Sequence, residues 1–217
     1  MHVYQLPASL YSFKLRLALA LKGVTIEMRD PPEGSYRSPS YKAINPAGTI
    51  PALVDGDLMI AETDAIIEYL EDLALGRPIF PQRSADKARM RMISRWNDLQ
   101  LEPAVRRLFG LVAGHSRKRP EVSDADGLIR SKLLVVEAGL DPSGPFATGV
   151  SPGMADCGLA ASLVWLAPLS GPLQLTASPG PRLERLAAAM AMHPLLASEV
   201  ESYGALVRNW VSNKSSG

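Results

Sequence analysis

Ser9 is the first residue whose type and place could do chemistry. A short apolar run, His2 to Leu6, reads as a strand, and Ser9 to Lys22 reads as a helix. Ser9 therefore falls on a strand-to-helix turn. Its hydroxyl and the backbone N–H groups of the first turn could act together on an anion, because a helix N-terminus carries partial positive charge. A serine in that place more often only caps its helix, and these residues alone leave both readings open. Ser12 could supply a second donor or be an ordinary first-turn residue. Tyr4 would point to the opposite face from Gln5, at the strand end, and reads as a core or surface residue.

Two more pairs stand in the first third of the chain. Ile50-Pro51 precedes the short apolar run Ala52 to Val54. A cis bond, seen in only ~5% of X–Pro bonds, would turn the backbone of Ile50 outward, where it could pair with a peptide like an added strand. A trans proline opening a strand is the ordinary alternative. Glu62-Thr63 precedes a helix-like segment running to Leu75. Thr63 is a natural N-cap, and that helix start favours a carboxylate. Lys42, by itself, reads as a solvated lysine.

Other signals carry less. Gly149-Val150-Ser151-Pro152-Gly153 matches the G-x-S-x-G pattern of hydrolases, and His193 lies downstream. An oxyanion hole there would use the N–H of the residue after the serine, but that residue is Pro152, which has none. The histidines at 2, 115 and 193 have no second ligand at useful spacing, so no metal site is expected. The net charge of +1 gives no electrostatic case for nucleic acid or an anionic membrane. The single cysteine, Cys157, excludes an intramolecular disulfide and fits a reducing compartment.

The elements that must position these residues follow from periodicity. Leu10, Phe13, Leu17 and Leu21 recur on one helix face, with Gly23 as a stop signal. Val24 to Arg29 reads as a strand, Asp30 to Ser40 as a loop, and Ser40 to Asn45 as a helical turn. Ala52 to Val54 and Leu58 to Ile60 flank Asp55-Gly56-Asp57 as a hairpin. The order is β-α-β-(α)-β-β-α, with helices on a small mixed sheet. Gly76 to Arg83 reads as a linker, and all that follows reads as helix: Ser84 to about Ala113, Ser123 to Gly139, Met154 to Leu166, Arg182 to Met192 and Leu195 to Trp210. Met154 to Leu166 is apolar almost all round, as a buried central helix is. Cys157 on it is expected to be buried and inert.

Four motifs occur in order. The run Ser9-Leu10-Tyr11-Ser12-Phe13-Lys14-Leu15-Arg16 through Gly23 resembles the first helix of serine-type glutathione transferases, of the zeta and tau classes and their bacterial relatives. Asn45-Pro46-Ala47-Gly48-Thr49-Ile50-Pro51-Ala52-Leu53 is similar to that family's cis-proline segment. Ala61-Glu62-Thr63-Asp64-Ala65-Ile66 resembles its glutamate–serine turn, and Gly153-Met154-Ala155-Asp156 the capping motif of its buried second-domain helix. The resemblance implies an N-terminal thioredoxin-like α/β domain (1–76), a linker (77–83) and an all-α domain (84–217).

The resemblance also implies an activity. Glutathione would be the co-substrate, with no metal, and its thiol would attack a small, largely apolar electrophile. A free thiol has a pKa of ~8.5, so the site must stabilise the thiolate. The family's catalytic serine falls on Ser9. Ile50 with Pro51, Glu62, Thr63 and Lys42 would hold the peptide, while Leu10, Tyr11 and Arg106 would line an electrophile site between the domains. Asp156 would serve structure, accepting N–H groups at its helix start. A homodimer in the cytoplasm, bound to neither membrane nor nucleic acid, is expected. Gly48-Thr49, Tyr11 and Val105-Arg106 depart from the zeta pattern, which weakens an assignment to maleylacetoacetate isomerase specifically; a glutathione-dependent cis-trans isomerase of maleylacetoacetate or maleylpyruvate type is one alternative. A glutathione-binding module without catalysis is the other alternative.

Overall fold

The computed structural model describes residues 1–113 and 120–215, so His115 lies outside it. The chain divides into two compact units, Met1–Phe80 and Pro81–Gly217.

The first unit runs β1 (His2–Tyr4), α1 (Leu10–Lys22), β2 (Glu27–Arg29), a 3-10 turn at Pro32–Gly34, α2 (Pro39–Ile44), β3 (Ala52–Asp55), β4 (Leu58–Ala61) and α3 (Thr63–Asp72). The sheet order is β2-β1-β3-β4. β1 runs parallel to β2 and antiparallel to β3, and β3–β4 is a hairpin. The mixed sheet and the thioredoxin-like order are those the sequence led us to expect. The second strand is shorter than expected, because Val24 to Ile26 stay off the ladder. α1 is buried on most of its circumference, through Phe13, Leu15, Leu17, Ala18 and Leu19. It stops at Gly23, whose φ of 66° is left-handed, and the Val24 N–H closes the turn on Leu19 O at 3.0 Å.

Gly76 to Phe80, expected to be linker, is instead tied to this unit. Lys22 is buried at the end of α1, and its Nζ lies 2.5 Å from Glu71 Oε2 on α3. Glu71 also accepts the N–H groups of Ile79 and Phe80. Gly76, at φ 68°, lets the strap pass, since a Cβ there would sit 2.2 Å from Lys22 O.

The second unit is helical. α4 (Ser84–Trp96) continues through a π-turn at Asn97–Leu101 into α5 (Glu102–Arg106) and a 3-10 turn at Arg107–Gly110. The long helix expected here therefore changes winding midway. Pro103 has no N–H to offer the carbonyl four residues back, and the π-turn absorbs the mismatch. Asn97, fully buried at that turn, accepts from Ser162 Oγ at 2.8 Å. α6 (Pro120–Gly139), α7 (Met154–Leu173), α8 (Pro181–Met192) and α9 (Ala197–Ser215) follow. α7 packs against α4, α8 and α9 and is the central helix. It is long and apolar enough to cross a membrane, but 72% of its most apolar stretch is buried inside the protein, as in a core helix. Cys157 is buried on it.

Candidate active site

Strand register brings the three candidate groups together. Tyr4, the last residue of β1, pairs with Ala52, and Ala52 pairs with Ala61, the last residue of β4. The turn carrying Ser9, the Ile50–Pro51 segment and the Glu62–Thr63 turn therefore leave the sheet at one end.

Ser9 is the N-cap of α1, with φ −70° and ψ 127°. Its N–H donates to Leu6 O at 3.0 Å, and its Oγ accepts the Ser12 N–H at 3.3 Å. Arg16 braces the approach, donating to Gln5 Oε1 at 2.9 Å and Pro7 O at 3.3 Å. The cap bond uses a lone pair of Ser9 Oγ and not its proton. Capping and donation to an anion are therefore compatible on one hydroxyl. Ser12 is 1% exposed, so its own hydroxyl faces the interior. Tyr4 packs edge-on against His2 and Tyr41 at 5.0 and 5.6 Å between centroids.

The Ile50–Pro51 bond is cis. The loop before it is built by two buried residues, Tyr41 and the Asn45 that opens the cis-proline motif. Tyr41 donates its hydroxyl to Thr49 O at 2.6 Å, and Asn45 Nδ2 reaches the same oxygen at 2.9 Å. Asn45 Oδ1 accepts from Ala47 N at 3.1 Å, closing an Asx turn. Burial pushes the Tyr41 phenol above its usual pKa, which keeps it a donor. Lys42 is exposed, and its stem lies over Gly48, 3.2 Å from where a Cβ would stand.

At the third group the expected cap moves by one residue. Thr63 is the first residue of α3, and Glu62 takes the N-cap position. Glu62 is exposed with φ 71° and ψ 117°, a conformation that costs a non-glycine residue about 1–3 kcal/mol. Its carbonyl accepts the Ile66 N–H at 3.0 Å. No sequence signal announces this, since a glutamate gives no warning of positive φ. Thr63 is 5% exposed. Lys14, on α1, crosses to this turn, with Nζ 2.6 Å from Asp64 Oδ1.

The residues expected to line an electrophile site differ among themselves. Leu10 is only 3% exposed and offers a ligand little surface, whereas Tyr11 is half-buried. In the second unit, Val105 is buried and Arg106 is exposed. Arg106 pairs with Glu102 one turn earlier and lies over the Phe109 ring at 5.9 Å. Ser151 of the G-x-S-x-G pattern is an exposed loop residue preceded only by an isolated bridge between Phe146 and Gly149, not the strand a nucleophile elbow needs. Among the described residues, no three His, Cys, Asp or Glu side chains group as metal ligands.

Asp156 is fully buried at the start of α7. Its Oδ1 accepts from Ala147 N at 2.7 Å and its Oδ2 from Gly153 N at 2.8 Å. It thus accepts an N–H group at the helix start, as expected, and also ties the preceding loop to the N-cap.

Residues 3–78 match the family described as glutathione S-transferase, N-terminal domain. Glutathione S-transferase 1 of Dianthus caryophyllus is 38% identical over 84 residues, which are 38% of each chain. The maleylacetoacetate isomerase of Pseudomonas aeruginosa is 42% identical over 79 residues, 33% of this chain and 36% of that one. The chain thus aligns with less than two fifths of either relative's length. The crystal structure of human glutathione transferase theta-2 superposes with a TM-score of 0.81 at 19% identity, covering 99% of this chain and 90% of that one, a likeness of fold. Residues 3–78 thus carry a glutathione S-transferase N-terminal domain.

Proposed function

We propose that the protein is a glutathione transferase that activates the thiol of glutathione for attack on a small, largely apolar electrophile. The observation that carries this is the convergence of Ser9, Ile50 and Glu62–Thr63 at one end of the sheet. Two helix starts there, those of α1 and α3, suit two anions. The thiolate is assigned to Ser9 and the γ-glutamyl carboxylate to Thr63. Glu62 takes the ammonium of that same residue, the backbone of Ile50 pairs with the cysteinyl unit, and Lys42 takes the glycyl carboxylate. On the first unit, half-buried Tyr11 is assigned to the electrophile.

Calorimetric titration with glutathione tests the reading. Binding is expected, and ten times the Kd should stabilise the fold by about 1.4 kcal/mol. No heat and no shift in Tm at millimolar glutathione would remove it. Glutathione-dependent isomerisation is the second reading, favoured by the alignment with the Pseudomonas isomerase. Assays of conjugation and of maleylacetoacetate isomerisation separate the two.

We also assign the protein to a homodimer in the cytoplasm. Met92 and Leu99, on α4 and the π-turn, and Leu134 and Val135, on α6, are 40–66% exposed on segments that pack together. Such an apolar surface favours a protein partner. Sedimentation at twice the chain mass, lost in Leu134→Glu, is the expected result, and a wild-type monomer at micromolar concentration would refute it.

A further inference from the structure

Thr49 is exposed, so water can serve its backbone carbonyl at little cost. Two buried side chains serve it instead. Tyr41 donates its hydroxyl at 2.6 Å and Asn45 its Nδ2 at 2.9 Å, and neither residue is more than 1% exposed. A carbonyl oxygen has two lone pairs, and both are taken. A phenylalanine would fill the space of the Tyr41 ring equally well, so packing does not account for the hydroxyl. The hold on Thr49 reaches across the next peptide bond. Thr49 C=O and Ile50 N–H belong to one planar unit, and that bond is trans. The two groups of a trans unit point in opposite directions. Drawing the oxygen toward α2 therefore aims the Ile50 N–H away from Tyr41 and Asn45. Among the described residues, that N–H meets no acceptor.

We propose that Tyr41 and Asn45 are positioning residues that lock the Thr49–Ile50 peptide plane, so that the Ile50 N–H is held ready for an acceptor on the cysteinyl unit of glutathione. The inference rests on the glutathione reading above. Both side chains act through the peptide they hold and not on the ligand itself. Two donors on one carbonyl also polarise the amide it belongs to, which makes the Ile50 N–H a stronger donor. An unlocked plane would have to be ordered again at each binding event, and that ordering lowers affinity. Asn45 has a second task. Its Oδ1 accepts the Ala47 N–H at 3.1 Å and its Nδ2 also reaches Thr49 Oγ1 at 3.3 Å, so it shapes the loop as well. Tyr41 is the cleaner probe of the lock, because its hydroxyl serves Thr49 O alone.

Tyr41→Phe removes one donor and keeps the ring. By calorimetry it should raise the Kd for glutathione about fivefold, the effect of one hydrogen bond, and the double variant Y41F/N45A about twentyfold. Nitrogen-15 relaxation of the Ile50 amide in the ligand-free protein gives an independent readout. Its order parameter should fall from about 0.85, that of rigid backbone, toward about 0.6 in the double variant, with Tyr41→Phe between them. The pKa of the bound glutathione thiol should stay at its wild-type value, because Ser9 is untouched. A role confined to fold stability gives another pattern: Tm falls, while the Kd and the Ile50 amide stay as in wild type. A Kd within about twofold of wild type, less than one hydrogen bond contributes, overturns the proposal. Weaker binding with the Ile50 amide as rigid as before, or with the thiol pKa raised, overturns it too. If the double variant does not fold, Tyr41→Phe decides alone. Wild-type protein that gives no heat with glutathione refutes the glutathione reading, and this inference with it. Wild-type binding that Tyr41→Phe leaves unchanged refutes this inference alone.

Discussion

Ser9→Ala is expected to lower turnover with glutathione by one to three orders of magnitude, about the effect of losing one hydrogen bond to a developing anion. The Ser9 hydroxyl accepts the Ser12 N–H, which leaves its proton for the thiolate. Removing the oxygen removes both bonds. The lost cap costs about 1 kcal/mol of stability, and the lost donor raises the pKa of the bound thiol. Activity should therefore recover toward alkaline pH, where the thiolate forms unaided. The Kd for glutathione should move much less, because the peptide ends are assigned to Ile50, Glu62 and Thr63. Ser9→Asp separates the two roles, since aspartate caps a helix as well as serine does. Its carboxylate would hold the Ser12 N–H yet repel a thiolate, so stability should be kept and turnover lost. Ser12→Ala should leave turnover nearly unchanged, the Ser12 side chain being 1% exposed. Full rate in Ser9→Ala at neutral pH would refute the assignment.

The register that unites the site explains what the sequence could and could not reveal. Strand and helix periods are local, so β1, α1, the β3–β4 hairpin and α3 were legible, as was the serine at the α1 cap. The cis Ile50–Pro51 bond was legible only through the family motif around it, because a proline before a strand is usually trans. Three features lay beyond reach. The backbone of Glu62 adopts a positive φ because the β4–α3 turn demands it, not because its side chain prefers it. Tyr41 and Asn45 shape the cis-proline loop through bonds to Thr49, across a turn that no residue period marks. Lys14 reads as one charge in an apolar helix, and only the approach of α3, fifty residues on, makes it a partner of Asp64. In the second unit the same limit applied to the π-turn. Its form depends on Asn97 meeting Ser162 from α7, which nothing in the expected single helix announced.

Asp156→Ala is expected to destabilise the second unit by about 2–5 kcal/mol, with the larger loss at acidic pH. The size follows from the two buried amides, Ala147 N–H and Gly153 N–H, that the carboxylate holds at 2.7 and 2.8 Å. An orphaned buried donor costs about 1–3 kcal/mol. The pH dependence follows from burial, which pushes the Asp156 pKa up to about 7 despite both N–H bonds, since the site is fully desolvated. Asp126 is a useful contrast. Burial pushes it up as well, but the Thr176 hydroxyl, the Ala177 and Thr176 amides and Arg130 together bring it below the usual carboxylate value. For Asp156 the folded pKa lies above the unfolded one. The folded state therefore holds a proton between about pH 4 and pH 7 that the unfolded state has released, and the stability this brings is lost as pH rises through 7. Below that window both states are protonated, and above it neither is. Wild type should exceed the alanine variant by more at pH 5 than at pH 8. The upper bound on that difference is on the order of 3 kcal/mol. Asp156→Asn, which cannot ionise and keeps one acceptor, should lose less and show no such titration. All three tryptophans, Trp96, Trp165 and Trp210, lie in the second unit, so urea unfolding followed by their fluorescence reports on it directly. A loss below about 1 kcal/mol at pH 5, or one that does not vary between pH 5 and pH 8, would show that Asp156 neither holds the loop nor carries its proton into the fold.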